Sequence, residues 1–347
     1  MTLPNKPQDE QLGLSNSGEA DSRELAGADD QLRERLLWVL SAATFLVFFQ
    51  AYMVAPLIPR LSVVFGVSSH TIGLIVPAYM VPYGVSTLFC GLLSDRLGRL
   101  PIMLGSLAAF VVLTALTATS QSADAMITWR LLTGLGASGV VPVGLALIGD
   151  LFPYQRRGRP LGWLFGAMAG GMAFGSTFGV VLEPFYGLSE VALGLALLGY
   201  GVPGLVFGPV IGRAADRWGR RWLIPTGLLL AAASAGALIA NLPLIAAALM
   251  VTALSLGYDM TQPLLAGIVT SLDPKRGGQA MGLNVFMLFT GFGVGSFLFG
   301  EALSRGFESA LAMFSTIEAA IGFAAFLLFR SETTANQTSA PGPRRST

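Results

Sequence analysis

The chain has 347 residues, of which 53% are hydrophobic and only 12% charged, and its formal net charge is +1. With 43 glycines, 22 phenylalanines and a mean hydropathy of +0.66, it is too apolar for a water-soluble globule of this length and belongs in a bilayer. A single cysteine, Cys90, and a single histidine, His70, exclude an internal disulfide framework, a Cys/His metal cluster and a His-based catalytic triad.

Residues 1–32 are polar and rich in Asp and Glu, and composition predicts a disordered acidic tail. The first apolar run begins near Leu36 and is long enough to span, which does not fit a cleavable signal. A hydrocarbon core about 30 Å thick takes roughly 20 helical residues. With that ruler ten spans are predicted, near 36–58, 71–93, 101–120, 124–148, 160–182, 188–211, 222–241, 244–270, 278–300 and 308–330. Residues 331–347 are expected to form a second disordered tail. The fold expectation is all-α, a polytopic bundle of about ten transmembrane helices in two related halves, 33–185 and 186–330, with five spans each.

Orientation follows from the basic residues of the short connections. With the N-terminus inside, the inner segments hold fourteen Lys and Arg residues and the outer ones only Arg60 and Arg305. An even number of spans then places both termini in the cytoplasm. The same topology explains the basic clusters without nucleic acid.

An eleven-residue stretch occurs twice at inner turns. Gly91, Asp95, Arg96, Gly98 and Arg99 are echoed 121 residues later by Gly212, Asp216, Arg217, Gly219 and Arg220, the second copy adding Arg221. A repeat in equivalent surroundings marks two related halves. An Asp at the inner end of one helix can sit at the positive N-terminus of an adjacent helix and pair with an Arg of its own loop. Such a clasp would be made in one conformation and broken in the other; topogenic charge alone is the plainer alternative.

In the fifth span Gly162, Gly166, Gly170, Gly175 and Gly179 recur close to one face, and Gly291-x-x-x-Gly295 does the same in the ninth. Small stripes of this kind let helix backbones approach in lipid. Either static packing or a sliding contact would use them.

Ionisable groups at bilayer depth cost at least roughly 2.5–3.5 kcal/mol when unpaired, which singles out Arg130, Asp259 and Glu318. Arg130 is either a structural arginine bonded to backbone carbonyls or a cavity charge for an anionic group. Asp259, with Gln262 on the same face at i+3, is either a proton or substrate carboxyl or a hydrogen-bonding partner of a neighbouring helix. Gln50, Tyr52 and Asn284 are weaker candidates, and Glu318 has no polar surroundings in sequence. No Walker loop, nucleophile elbow or metal-ligand spacing occurs, so neither an enzyme nor a cofactor is expected.

These residues resemble the major facilitator superfamily of secondary transporters. Gly91, Asp95, Arg96, Gly98 and Arg99 match its signature between helices 2 and 3, and the second copy matches the echo between helices 8 and 9. Arg130 with Gly134, Gly136 and Ala137 looks like the helix 4 motif of the drug/proton antiporter branch. Gly166, Gly170 and Gly175 look like its helix 5 motif, although Gly171 stands where a proline is expected and Phe174 where a glycine is. Family members have twelve spans in two halves built from inverted repeats. Against that pattern residues 36–185 resemble helices 1–5 and residues 187–330 helices 8–12, with helices 6 and 7 lacking and a seam near 183–187. The resemblance implies a secondary transporter of the bacterial inner membrane. Its partners would be the bilayer, protons and a small organic solute or drug, exported by alternating access, with a monomer favoured. The alternative is a transport-incompetent, shortened chain that is inert or acts only by binding a membrane partner.

Overall fold

A computed structural model describes residues 8–181, 188–240 and 242–330. The expected seam at 183–187 and the C-terminal tail at 331–347 lie outside the described residues. Among those described there is no strand.

The first half comprises α1 (Gln8–Met53), α2 (Ile58–Phe65), α3 (Ser69–Gly73), α4 (Ile75–Leu97), α5 (Arg99–Ala118), α6 (Ala123–Ala137), α7 (Val140–Leu151) and α8 (Gly158–Val181). The second half comprises α9 (Leu188–Trp218), α10 (Arg220–Ala237), α11 (Leu244–Asp259), α12 (Gln262–Leu272), α13 (Gly277–Leu303) and α14 (Phe307–Leu328). Each of the ten predicted spans therefore falls on a helix or on a pair of consecutive helices. By length and composition five segments suffice to cross a membrane among the described residues: Asp30–Phe65, Ser69–Leu97, Arg99–Ala118, Ala123–Leu151 and Phe307–Leu328.

Three features differ from the sequence reading for identifiable reasons. Helix α1 starts at Gln8, so residues 8–32 are helical where composition predicts disorder. It begins directly after Pro7 and meets no proline until Pro56, three residues beyond its end, so nothing in that stretch interrupts the backbone hydrogen bonds. The predicted span 124–148 is broken between α6 and α7, and the span 244–270 between α11 and α12. Pro142 and Pro263 stand 121 residues apart, the spacing of the charged repeat, at the start of α7 and α12. Each lacks the N–H that would bond the carbonyl four residues earlier, at Ser138 and Asp259.

The halves meet along two seams, α4 on α13 and α8 on α9, while α1 packs on α8, and α10 on α14 and α11. Helix α7 runs through the centre, with Val140, Val141, Val143, Leu145 and Ala146 no more than 1% exposed. The outer helices present apolar side chains outward, such as Leu104 and Val111 on α5 and Ile317 and Ile321 on α14. That pattern suits lipid as the surrounding solvent.

Backbone contact at the α8–α9 seam depends on glycine. A Cβ at Gly158, Gly162 or Gly166 would lie 2.2, 2.1 or 2.6 Å from the carbonyl oxygens of Gly212, Gly208 and Gly204. At the other seam a Cβ on Gly91 would lie 2.3 Å from the Gly278 oxygen. The ninth-span pair behaves otherwise: Gly291 and Gly295 face open space. The stripe expected there as a helix contact is therefore unoccupied among the described residues.

Gly98 and Gly219 end α4 and α9 at φ 95° and 87°, where only glycine is unstrained. Gly98→Ala is expected to destabilise by about 1–3 kcal/mol. Gly105→Ala, in open space within α5, should be neutral or slightly stabilising; thermal unfolding of the two purified variants makes the comparison.

Candidate functional site

The two charged repeats close reciprocal clasps at one end of the bundle. Asp95, at the end of α4, accepts the backbone N–H of Gly278 at 2.9 Å and of Gln279 at 2.7 Å, both in the first turn of α13. Asp216, at the end of α9, accepts those of Gly158 at 2.9 Å and Arg159 at 3.3 Å, in the first turn of α8. Each half thus caps a helix of the other, and the carboxylates meet the partial positive charge of those N-termini.

Arginines brace both carboxylates. Arg99 Nη1 donates to Asp95 and, at 2.9 Å, to Ser94 Oγ, while its Nε donates to Asp150 at 2.9 Å. Arg220 lies 3.5 Å from Asp216, donates to the Tyr154 carbonyl at 2.9 Å and stacks 4.0 Å from the Tyr154 ring centroid. Asp216 lies beyond the predicted span 188–211; burial pushes its pKa up, against the pull of the two N–H groups and Arg220. Arg157 straps α7 to α12, donating to the carbonyls of Phe152 and Gly149 and to Thr270 Oγ1 at 3.2 Å. Its own burial, with the charge of Arg220, pushes its pKa down. Arg96 and Arg217 point outward from the clasps; Arg221 stacks on Trp222 at 4.8 Å.

Arg130 is fully buried. Its Nη2 donates to the Ala51 carbonyl at 3.1 Å, near the end of α1, and its Nε to the Ile75 carbonyl at 3.4 Å, at the start of α4. The guanidinium lies 4.5 Å from the Tyr79 ring centroid. This is the carbonyl-bonded arrangement, one arginine tying three helices, with Nη1 left without a partner.

Asp259 is 2% exposed, and its Oδ2 has no hydrogen-bond partner. It occupies the break between α11 and α12, and the missing Cβ of Gly204 makes its space: a Cβ there would lie 2.7 Å from Oδ2 and 2.9 Å from Ala169 Cβ of α8. The carboxyl is therefore wedged into the seam between the halves. Gln262 follows on α12 without a hydrogen bond to it, and no ion pair joins Asp259 to Arg130.

The remaining candidates are dispersed. Tyr52 lines a cleft of about 630 Å³ between α4 and α13, whose walls include Met80, Val81, Phe289, Phe292 and Val294. Gln50 is on α1 with its Oε1 unpartnered. Glu318, grouped by depth with the cavity charges, is on α14, which packs against α10 and the end of α13. It is not among the described residues lining the cleft between α4 and α13. A Cβ at Gly170 would meet the Leu205 side chain at 3.1 Å, and one at Gly175 the Phe49 carbonyl oxygen of α1 at 2.3 Å.

Tyr79 and Tyr83 have no counterpart in the sequence expectations. They stack at 5.8 Å, and Tyr83 reaches Phe48 at 6.5 Å and Phe289 at 4.8 Å, so an aromatic ladder links α1, α4 and α13. Both hydroxyls are buried without partners. The i,i+4 tyrosine spacing beside Pro77 and Pro82 was the available signal.

The family model described as Major Facilitator Superfamily matches residues 40–187 and 181–346. An uncharacterised MFS-type transporter, YceJ of Bacillus subtilis, is 30% identical over 168 residues, which is 47% of this chain and 43% of the relative. A chloramphenicol resistance protein of Pseudomonas aeruginosa is 30% identical over 151 residues, 43% of this chain and 35% of the relative. These matches span less than half of each curated relative. The crystal structure of the human organic anion transporter MFSD10 superposes with a TM-score of 0.68 at 16% identity, covering 84% of this chain and 99% of that one. With both halves matched by the family model, the fold shared and two reciprocal clasps in place, the chain is an integral membrane protein belonging to the Major Facilitator Superfamily.

Proposed function

We propose that the chain exports a small organic solute in exchange for protons by alternating access, with the clasp end facing the cytoplasm of a bacterial inner membrane. The observation that carries this reading is the reciprocity of the clasps. Two backbone N–H groups at a helix start of each half are held by a carboxylate of the other, so the clasp end stays shut only while both seams are engaged. The basic connections at this end support the orientation. The drug/proton antiporter branch is supported by the chloramphenicol resistance relative.

Asp259 is the proposed proton carrier. A carboxyl wedged between halves, with one oxygen unsatisfied, changes its surroundings whenever α8 and α9 separate. Arg130 is proposed to hold the three-helix node rather than to bind the solute. In inverted vesicles, Asp259→Asn is expected to reduce proton-gradient-driven accumulation of chloramphenicol at least about tenfold while leaving gradient-independent exchange within a factor of about two. An unchanged pH dependence of accumulation would sink the assignment.

One observation favours the second reading, an incomplete and transport-incompetent bundle. Gly171 and Gly175 of α8 pack on the Phe45 and Phe49 backbone of α1, whereas their counterparts 120 residues on, Gly291 and Gly295 of α13, face open space. Purified chain that accumulates nothing in proteoliposomes under a proton gradient, while a chain with two spans inserted at 183–187 does, would establish that reading.

A further inference from the structure

Beside the Asp216 clasp the structure holds a cleft of about 400 Å³ lined by four arginines and three carboxylates. The carboxylates are already engaged. Asp30 lies 3.6 Å from Arg33, Glu34 holds Arg159 through both oxygens, and Asp216 caps α8. The guanidinium groups of two lining arginines, Arg156 before α8 and Arg213 on α9, have no hydrogen bond or ion pair among the described residues. They come from opposite halves, and the described lining residues carry one excess positive charge.

The depth of this cleft can be read from the aromatic residues beneath it. Trp38 and Trp163 pair at 4.6 Å, each one helical turn further into the bundle than Glu34 and Arg159. Paired tryptophans at that position mark the level of lipid headgroups. From Arg213 inward, Val210 and Val206 follow on the same face of α9, 52% and 56% exposed, an apolar track one to two turns long. A ligand held here is therefore anionic at one end and apolar below.

We propose that this cleft binds the phosphodiester headgroup of an anionic phospholipid, Arg156 and Arg213 holding the phosphate while an acyl chain lies along Val210 and Val206. Guanidinium groups match phosphate oxygens with paired N–H donors, and the single excess charge matches a monoanionic phosphodiester. Because the two arginines belong to different halves, the bound lipid would favour the closed clasp. This inference does not depend on the direction or coupling of transport.

The test uses the full chain purified in detergent, with phosphatidylglycerol or phosphatidylcholine of identical acyl chains added, and reads lipid retention by native mass spectrometry. Wild type is expected to retain phosphatidylglycerol about tenfold better than phosphatidylcholine. Arg156→Gln with Arg213→Gln should reduce that preference to less than about twofold, whereas Arg276→Gln, an exposed arginine outside the cleft, should keep it. If the glutamine pair does not fold, Arg156→Lys with Arg213→Lys retains the charges and should lower the preference by no more than about threefold. No preference in wild type, or a full preference in the glutamine pair, overturns the proposal. So does displacement of the lipid by inorganic phosphate or glycerophosphoglycerol at low millimolar concentration, which would assign the cleft to a soluble anion.

Discussion

Gly162→Leu is expected to remove about 3 kcal/mol or more of stability, and Gly291→Leu, the same change on a repeat-related helix, almost none. Position 162 is the middle rung of three at which α8 and α9 touch through backbone atoms, with Gly158 facing Gly212 on one side and Gly166 facing Gly204 on the other. Overpacking is mild where a flexible side chain can yield. Here the obstacle is the Gly208 carbonyl, 2.1 Å from the added carbon, so the helices must separate. Separation forfeits dispersion along the whole crossing, which in lipid no hydrophobic force replaces. It also withdraws the Gly158 and Arg159 N–H groups from Asp216. Position 291 has nothing within 4 Å of a Cβ, and a leucine there meets only lipid or solvent. Thermal unfolding and elution profile in detergent report both variants; a Gly162→Leu protein as stable as wild type would refute the backbone crossing.

The same two glycines separate what was legible in the sequence from what was not. Spacing identifies a helix face that admits a close neighbour, and both stripes have it. Whether a neighbour exists is a property of the fold, and α8 has two while the outer part of α13 has none at Gly291 and Gly295. The charged repeat was legible in more detail, because an Asp four residues before an Arg at a helix end carries its own geometry; its capping target, α13 for α4 and α8 for α9, came only with the structure. Insertion cost alone singles out Arg130 and Asp259. The carbonyls that Arg130 bonds lie 55 and 79 residues from it in sequence and have no local signal, as is true of Gly204 beside Asp259. The same cost placed Glu318 with them, although α14 is peripheral. The helix breaks were readable in retrospect: Pro142 and Pro263 share the 121-residue offset of the charged repeat, but an apolar run scanned for length is blind to a kink.

Removing both clasps, with Asp95→Ala and Asp216→Ala, is expected to open the clasp end by a large factor. Each carboxylate accepts two backbone N–H groups and an arginine, and hydrogen bonds to charged groups contribute about 1.5–3 kcal/mol each. Both side chains retain 13–16% exposure, and solvent screening brings each clasp to about 2–4 kcal/mol. One substitution should then shift the equilibrium between closed and open about 30-fold or more, and two should multiply. Spin-label distances in a Cys90→Ser background measure it, with one pair at Arg96→Cys and Gln279→Cys and another at Gln155→Cys and Arg217→Cys, all exposed positions flanking the clasps. If the halves rock as rigid bodies, Asp95→Ala alone must lengthen both distances together, since α8–α9 cannot stay shut at this end while α4–α13 parts. If only the reporter beside the substituted aspartate responds, the clasps fray locally, and the reciprocal capping is packing rather than a gate.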